Sequence, residues 1–473
     1  MLSKNQSINI RRAVILTMLL TGCAQPMKNT AEITDSISAS FSVSGDDQTD
    51  SYWWTEFNDP QLTQLVNTAL VSNYSLKSSV ARVQRAAAIA NVRDASRYPD
   101  AKGIIESDYR RGRSTIDGDI TQSDTQNIKL NASWEVDLWG KNNATAAAAY
   151  FNYLATEEQL QTAAQSLAGN ITRRWYQLLE QYQSLNVLNS QINNTKVIAE
   201  ITGHRYRTGQ GSISALWRQE QLLESLEAQE KQANKQLLIL EKQMNVLLGR
   251  SPMAPVDWQY TAFPALPPLP DTGIPTSLLE RRPDVRGLWY QYEASHNDVS
   301  AAAAARLPNF SIDTGVSSND WSNAFEIWRL DLGAQLNVPL FNAGKLASEQ
   351  EAAEASADIA FYNYTQGILS AIEDVETNLL EELSQQEQLD SLYRQTQQAE
   401  NILEVESIRY SRGMQGYLDV LNAQEKLFTL QQRTISSQRQ LFLRRVATYQ
   451  SLGGHLIAHS EDGTIELQHG TES

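Results

Sequence analysis

Two stretches of the sequence alternate strictly between apolar and polar residues. The first runs from Ile128 to Asp137, and the second from Trp328 to Val338. A period of two over about ten residues predicts a β-strand with one apolar and one polar face. Such a strand also has the length of a transmembrane β-strand, about 9 to 11 residues. A soluble antiparallel sheet produces the same alternation, so periodicity alone leaves both interpretations open.

Each of these strands has a weaker candidate partner upstream, around residues 101–113 and 308–318. The stretches between the partners, 114–126 and 319–324, are rich in the small polar residues that favour turns. We therefore expect two strand pairs, within residues 101–137 and 308–340. Four such strands cannot close a barrel by themselves, and lipid does not tolerate open sheet edges. Insertion into a membrane would therefore require several chains to share one barrel.

The remaining pattern predicts long helices. No proline lies between Pro99 and Pro252 or after Pro339, and an interior proline costs a helix about 3 kcal/mol. Apolar residues recur every seven positions, as coiled-coil packing requires. They are Ala164, Ile171, Leu178, Leu185, Ile192 and Ala199, and later Leu226, Ala233, Leu240 and Leu247. A helix over residues 141–202 would be about 90 Å long, well beyond the roughly 30 Å core of a bilayer.

The chain contains an internal repeat. Arg205-Tyr206 with Gly209 matches Arg409-Tyr410 with Gly413 at an offset of 204, and Gln219-Glu220 matches Gln424-Glu425 after one inserted residue. Repeats of this kind indicate the duplication of one structural unit. We expect a first repeat over 59–250 and a second over 274–453. A proline-rich linker over 251–273, whose simplest interpretation is a connector, separates them, and a polar tail over 454–473 that we expect to be disordered follows.

The N-terminus has the pattern of a secretory signal. Residues 1–22 carry basic residues, then a short apolar run from Ala13 to Leu20, which is too short to span a bilayer. Leu20-Thr21-Gly22-Cys23 resembles the bacterial lipobox, in which the signal is cut before a cysteine that receives a lipid. Cys23 could instead be incidental. We expect a lipidated N-terminal segment over 23–58, and the resemblance implies palmitate on Cys23 and the outer membrane as its location.

Composition excludes several functions for this chain of 473 residues. The net charge of -16 makes nucleic acid an improbable partner, because phosphate binding needs clustered Lys and Arg. The single Cys excludes a disulfide framework, and the five scattered His have no metal-binding spacing. The carboxylate pairs Glu373-Asp374 and Glu381-Glu382 lie in a long polar helix and are interpreted as its solvated face. We expect no catalytic residue, no metal and no cofactor other than the covalent lipid.

Five blocks of the sequence, in order, resemble the TolC-like outer membrane factors, and among them the NodT/OprM-like lipoproteins that serve tripartite efflux pumps. The most specific block is IPTSLLERRPDVR from Ile274 to Arg286. The others begin at Trp53-Trp54, Ser133, Val338 and Tyr410. The first of them has Asp59 as a helix cap and Pro60 at the first helical position.

The resemblance implies a mainly helical fold with a membrane β-barrel. Three chains would each give four strands to one twelve-stranded barrel, continued by a long coiled-coil α-helical barrel in the periplasm. The implied function is a passive exit duct across the outer membrane. Its partners would be a periplasmic adaptor and an inner-membrane pump of the RND type. The alternative is a periplasmic coiled-coil lipoprotein adaptor or scaffold without a pore, although the sequence has none of the lipoyl-like modules of adaptors.

The resemblance also implies a gate at the periplasmic end. The family motif carries this role onto Tyr410, Gln415, Asp419 and Asn422. Three copies of Asp419 around a threefold axis would form an acidic ring, which attracts cations. The chain departs from the family pattern in having Asn422 where a second Asp is often found, and Gln415 where a basic residue can occur. The alternative is that Asp419 is an ordinary solvated residue beside a turn.

Overall fold

The computed structural model describes residues 41, 52–113, 116, 120–270, 278–319, 326–459 and 465–467. The expected signal, Cys23 and the start of the Ile274–Arg286 block lie outside these residues. The described chain forms two compact units. A sheet unit contains Arg82–Glu157 and Gly287–Gln366, and a helical unit contains the described parts of Ser36–Ala81, Glu158–Arg286 and Gly367–Ser473.

Helices make up most of the described chain, and the order of elements in its first half recurs in the second. The helices are α1 Pro60–Ser72, α2 Tyr74–Ala95, α3 Lys141–Arg207, α4 Ile213–Leu247, α5 Leu278–Arg281, α6 Pro283–Ala304, α7 Lys345–Ser411 and α8 Tyr417–Leu452. The strands are β1 Asp100–Arg113, β2 Ile120–Val136, β3 Asn309–Ser318, β4 Arg329–Asn337, β5 Ile457–His459 and β6 Ile465–Leu467. Among the described helices, none is both long enough and apolar enough to cross a membrane.

Strands β1 to β4 form one antiparallel sheet in sequence order. The register places most apolar residues of the four strands on the same face, since Ile105 pairs with Ile128 and Trp134 with Ile312. Val316 pairs with Leu330 on that face. The opposite face is polar, with Lys129 bonded to Glu106 across the first pair at 3.1 Å. The alternation in the sequence therefore corresponds to one continuous apolar face.

The expected turn over residues 114–126 is wrong in its second half. Strand β2 already begins at Ile120, and residues 120–127 pair with β1 alone, because β3 ends opposite Ile128. The side chains from Ile120 to Gln126 are exposed. A strand segment that is exposed on both faces does not require alternation of apolar and polar residues. Its polar sequence therefore resembles that of a turn.

The two longest helices, α3 and α7, each contain 67 residues, about 100 Å at 1.5 Å per residue. Helix α3 continues to Arg207, five residues beyond the expected end. The seven-residue pattern corresponds to a buried stripe, in which Ala164, Ile171 and Leu178 are fully buried. Along the same stripe Leu185 and Ile192 are also buried. Heptad spacing therefore identified the packing face of the helix.

An aromatic core fills the helical unit around a short 3-10 turn, Trp53–Phe57. Phe57 contacts the rings of Tyr176, Phe442 and Tyr449. Asp59, which follows the turn, caps α1 as expected and also accepts a hydrogen bond from Trp175 Nε1 at 2.7 Å. The cap thereby fixes the start of α1 against α3.

The proline-rich segment, residues 251–270, is more than a connector, because it packs into the helical unit. Trp258 and Phe263 are buried, and the Phe263 ring stacks on Tyr176. Arg445 donates hydrogen bonds to the backbone carbonyls of Pro267 and Pro268. The segment is therefore held by both apolar burial and a buried cation.

The solvated-face interpretation of Glu382 is wrong. Glu382 is 3% exposed, forms an ion pair with Arg445 and accepts a hydrogen bond from Thr448 at 3.0 Å. Its neighbour Glu381 is exposed and pairs with Arg444, as a surface carboxylate does. Sequence reasoning missed the difference because α8 supplies the buried cation, far along the chain.

The expected disorder of the C-terminal tail fails for its described residues. Leu456 is fully buried, and its backbone N–H donates to Gln161 Oε1 at 3.0 Å. Strands β5 and β6 then pair with each other. The start of the tail is therefore part of the helical unit.

Candidate gate at the helix-hairpin turns

The two long helix hairpins of the helical unit turn with the same geometry. In the first turn Gly209 N donates to Tyr206 O and Gln210 N to Arg205 O, at 3.0 and 2.8 Å. In the second, the same two bonds join residues 204 positions later, from Gly413 to Tyr410 and from Met414 to Arg409, at 3.0 and 2.9 Å. Both glycines have positive φ, 74° and 77°, which the Schellman type of helix end requires.

Tyr410 lies at the centre of the contact between the two hairpins. Its side chain is 4% exposed, and its hydroxyl donates to Thr202 Oγ1 at 3.2 Å. The guanidinium of Arg205 lies over the Tyr410 ring, 4.5 Å from its centroid, and donates to the Tyr410 backbone carbonyl. Ile198 and Val420 pack beside the ring. Tyr410 therefore joins α7 to α3 through a hydrogen bond, a cation–π contact and apolar burial.

A second tyrosine joins the hairpins through α4. The Tyr417 hydroxyl donates to Gln219 Oε1 at 2.8 Å, and Gln219 Nε2 donates to the carbonyl of Thr195 at 3.1 Å. Burial, with the nearby Tyr410, raises the pKa of Tyr417 to about 12. The phenol consequently stays neutral and keeps its donor throughout the ordinary pH range.

The other three predicted gate residues lie on an accessible face of α8 or in the turn before it. Gln415 Nε2 donates to Asp419 Oδ2 at 2.6 Å. Asp419 and Asn422 are exposed and lie three residues apart, so they share one side of the helix. The structure thus brings Gln415 and Asp419 together, places Asn422 beside them, and buries Tyr410 between the hairpins.

The contact between the two hairpins includes four residues that the sequence did not indicate as site residues: Arg205, Thr202, Gln219 and Tyr417. The internal repeat contains the signal that could have found two of them, since Arg205 matches Arg409 and Gln219 matches Gln424. The partners themselves depend on how the hairpins pack, which one linear sequence does not specify.

Residues Glu280–Arg286, the ERRPDVR part of the most specific sequence block, stabilise a different part of the helical unit, where α6 begins. Arg282 donates to Asp284 Oδ2 at 2.7 Å and to Asp374 Oδ2 at 3.1 Å, which joins the start of α6 to α7. Burial alone raises the pKa of Asp284, but its hydrogen bond and charge pairing with Arg282 outweigh burial and lower it. The backbone N–H of Gly454 donates to Arg281 O at 3.1 Å, so the end of α8 meets the same junction.

Comparison with known proteins agrees with this architecture. The family model described as Outer membrane efflux protein matches residues 65–250 and 274–454, which is most of the chain. The chain belongs to the outer membrane efflux protein family. Members of the family are transport channels of the outer membrane, so the protein is an outer-membrane efflux channel. The two matched segments nearly coincide with the two expected repeats.

Alignments with individual relatives cover most of this efflux protein. It is 27% identical over 422 residues to the pyoverdine export outer membrane protein OpmQ of Pseudomonas aeruginosa, covering 85% of this chain and 87% of OpmQ. It is 26% identical over 411 residues to SilC of Salmonella typhimurium, described as a probable outer membrane lipoprotein, covering 86% and 88%. The solved outer-membrane channel OprN has a TM-score of 0.83 and 26% identity, with coverage of 91% and 99%.

The described residues contain no group of three or more His, Cys, Asp or Glu side chains that could hold a metal ion. The candidate site of this efflux protein consists of contacts between helices together with the exposed carboxylate of Asp419. Such an arrangement can hold two hairpins together and present charge.

Proposed function

We propose that this efflux channel is the exit duct of a tripartite system, through which small toxic compounds or drugs cross the outer membrane. The observation that supports the duct most directly is the exposed apolar face of the four-stranded sheet. Leu332 is 79% exposed and Leu330 and Leu336 are each 60% exposed, on the same face as Ile105 and Leu130. A continuous exposed apolar face of this kind marks contact with another protein or a membrane.

The sheet is open at β1 and β4, and lipid does not tolerate unpaired edges. Three chains with four strands each would close a twelve-stranded barrel, so that the apolar face meets lipid and the polar face lines the lumen. Helices α3, α4, α7 and α8 of three chains would form the periplasmic α-helical barrel. The shared order of elements and the two family matches support an origin by duplication.

The partners of the duct are a periplasmic adaptor and an inner-membrane pump, which we infer to be of the RND type from the family resemblance. A lipid on Cys23 would add an anchor in the membrane, as the relative named as a probable outer membrane lipoprotein suggests. No other cofactor is needed, because a passive duct performs no chemistry.

The gate of the duct is formed by Tyr410, Gln415, Asp419 and Asn422. Tyr410 would hold the hairpins together in the closed state, since its contacts join α7 to α3. The exposed Asp419, oriented by Gln415, would supply one charge per chain to the constriction. The alternative of a periplasmic scaffold leaves the exposed apolar face of the sheet without a purpose.

Membrane extraction separates the duct from the scaffold. A Cys23→Ala variant, secreted with a signal cleaved by the ordinary peptidase, removes the lipid and keeps the fold. We expect this variant to remain in the outer-membrane fraction, to need detergent for release, and to conduct ions as a trimer in planar bilayers. Release of the unlipidated variant by a mild salt wash, without conductance, would favour the scaffold.

A further inference from the structure

Strands β1 and β2 form a hairpin that extends beyond the other two strands of the sheet. Strand β3 ends opposite Ile128, whereas β1 continues to pair with β2 as far as Arg113. The extra part, residues 106–113 with 120–127, is named the outer hairpin. Helices α2 and α3 join the strands at the opposite end of β1 and β2. In the proposed duct, whose long helices are periplasmic, the outer hairpin therefore lies at the external surface of the outer membrane.

The outer hairpin has two faces that follow directly from its register. The pairing of β1 with β2 contains no bulge, so side chains alternate between the two faces as far as the turn. Ile105 and Ile128 belong to the apolar face of the sheet, which would meet lipid. The residues beyond them on that face are Ser107, Tyr109, Arg111 and Arg113 on β1, and Gln126, Asp124, Gln122 and Ile120 on β2. Two arginines therefore continue the lipid-facing side of the sheet beyond its apolar part.

These two arginines have no counter-charge of their own. Arg111 and Arg113 are exposed, and within the described residues neither guanidinium forms an ion pair or a side-chain hydrogen bond. Asp124 is the remaining charged residue on this face of the outer hairpin. Two arginines and one aspartate leave an excess of one positive charge per chain, in a protein whose net charge is -16.

The charges on the opposite, polar face of the outer hairpin are arranged differently. Arg110 pairs with Asp108 at 4.0 Å, and Glu106 pairs with Lys129 at 3.1 Å. The polar face would line the lumen, so a channel that gathered anions from solution would carry its unpaired cations there. The unpaired cations lie instead on the side where an anionic lipid would be the neighbour.

Strand geometry gives the height of the two arginines in the membrane. A strand rises about 3.4 Å per residue, and a tilt of about 40° in a membrane barrel leaves about 2.6 Å along the membrane normal. An apolar band about 25 Å tall that begins at Val136 therefore ends near Gln126, the partner of Ser107. Arg111 and Arg113 then lie about 10 and 16 Å above the apolar band. Both arginines are outside the hydrocarbon core, at and above the level of the lipid headgroups.

We propose that Arg111 and Arg113 bind phosphate groups of the glycolipid in the outer leaflet of the outer membrane. This inference rests on the proposed barrel and adds a specific lipid contact to it. The glycolipid is lipid A with its attached sugar core, and its phosphates lie just above the acyl chains and in the core. Long arginine side chains bend toward the layer that suits their charge, and a guanidinium binds phosphate with two parallel hydrogen bonds. Tyr109, on the same face and nearer the apolar band, lies where membrane barrels carry an aromatic girdle.

Titration of the delipidated trimer with lipid A in detergent, followed by native mass spectrometry, tests the contact. We expect the wild type to bind lipid A that carries both phosphates far more tightly than dephosphorylated lipid A. Arg111→Gln/Arg113→Gln should bind the phosphorylated lipid about 30-fold more weakly, as two charges at an anionic membrane surface imply. The matched control, Lys102→Gln/Arg110→Gln, removes the same charge from the polar face of β1 and should bind like the wild type. The same spectra report the trimer mass, so assembled protein is compared throughout.

Three results would overturn the contact while leaving the duct intact. They are equal affinity of the wild type and Arg111→Gln/Arg113→Gln, equal losses in the two double variants, and equal affinity of the wild type for phosphorylated and dephosphorylated lipid A. Tighter binding of phosphatidylglycerol than of lipid A would also contradict a glycolipid site. A wild-type protein that is monomeric in detergent and does not conduct ions would instead overturn the duct and this contact together.

Discussion

At the scale of single residues, two glycines hold the ends of α4 and α8 against neighbouring backbone. Gly249 and Gly453 have φ of 70° and 80°. A Cβ at Gly249 would lie 2.5 Å from Ser72 O, and a Cβ at Gly453 would lie 2.9 Å from Arg281 O. The turn glycines Gly209 and Gly413 also have positive φ, but a Cβ there would meet no atom within 4 Å. The glycines at matching positions of the two halves thus have two different physical roles.

We predict that Gly453→Ala destabilises the protein more than Gly413→Ala. The strain of a positive φ costs about 1 to 2 kcal/mol in Gly413→Ala. It costs about 1 to 3 kcal/mol in Gly453→Ala, because φ 80° with ψ -158° is a conformation that essentially only glycine adopts. Overpacking against the Arg281 carbonyl adds about 1 to 3 kcal/mol in Gly453→Ala alone. Thermal unfolding of the detergent-solubilised protein, followed by helical circular dichroism, measures the difference. Equal losses in the two variants would contradict the close approach at Gly453.

At the scale of elements, sequence patterns predicted the buried faces of single helices and strands. They did not predict contacts with residues far along the chain. Alternation identified the faces of β2 and β4, and heptad spacing identified the buried stripe of α3, because both patterns record one-sided burial along a single element. The first residues of β2 were missed because neither of their faces is buried. Likewise, the burial of Glu382 and the docking of the proline-rich segment depend on Arg445, which no local pattern around either of them reveals.

The same reasoning applies to the candidate gate. The repeat and the family resemblance indicated the turn, Tyr410 and the polar residues after it. The hydrogen bonds of Tyr410 to Thr202 and of Tyr417 to Gln219 could not be read from the chain, since each joins residues about 200 positions apart. The local sequence around a helical tyrosine does not distinguish a side chain buried between hairpins from one exposed in a lumen.

Arg445 binds both Glu382 and the proline-rich segment, which gives a prediction for the neighbouring carboxylates Glu381 and Glu382. We expect Glu382→Gln to cost about 3 to 5 kcal/mol, because it leaves Arg445 as a buried cation without its counter-charge. Glu381→Gln should cost at most about 1 kcal/mol, since the Glu381–Arg444 pair is about 42% exposed. Limited proteolysis should cut residues 251–270 faster only in the first variant. Equal cleavage rates would show that the buried pair does not hold the segment.

At the scale of the whole molecule, the proposed barrel depends on the apolar face and the two open edges of the sheet in each chain. In that barrel the apolar face would meet lipid, and the open edges would pair with strands of neighbouring chains. An arginine on the lipid-facing side of a membrane strand costs about 2 to 4 kcal/mol at the bilayer midplane. We therefore expect Leu332→Arg to abolish assembly of the outer-membrane trimer. Gln335→Arg, on the polar face of the same strand, should assemble normally. Assembly is measured by trimer recovery from outer-membrane fractions, and equal recovery of the two variants would contradict the assignment of the faces.

The charge of the proposed constriction is also a property of the assembly, because Asp419 would supply one carboxylate per chain and a trimer would gather three. A ring of carboxylates attracts cations, and a more negative ring binds divalent ions more strongly. Asp419→Asn should therefore weaken block by divalent cations and reduce cation selectivity in planar bilayers, with the helix unchanged. Asn422→Asp adds a second carboxylate on the same side of α8 and should strengthen both properties. The paired substitutions change the ring in opposite directions at nearly constant side-chain size. If divalent block moves in the same direction in both variants, or in neither, then Asp419 does not line the constriction and the selectivity of the pore arises elsewhere along its lumen.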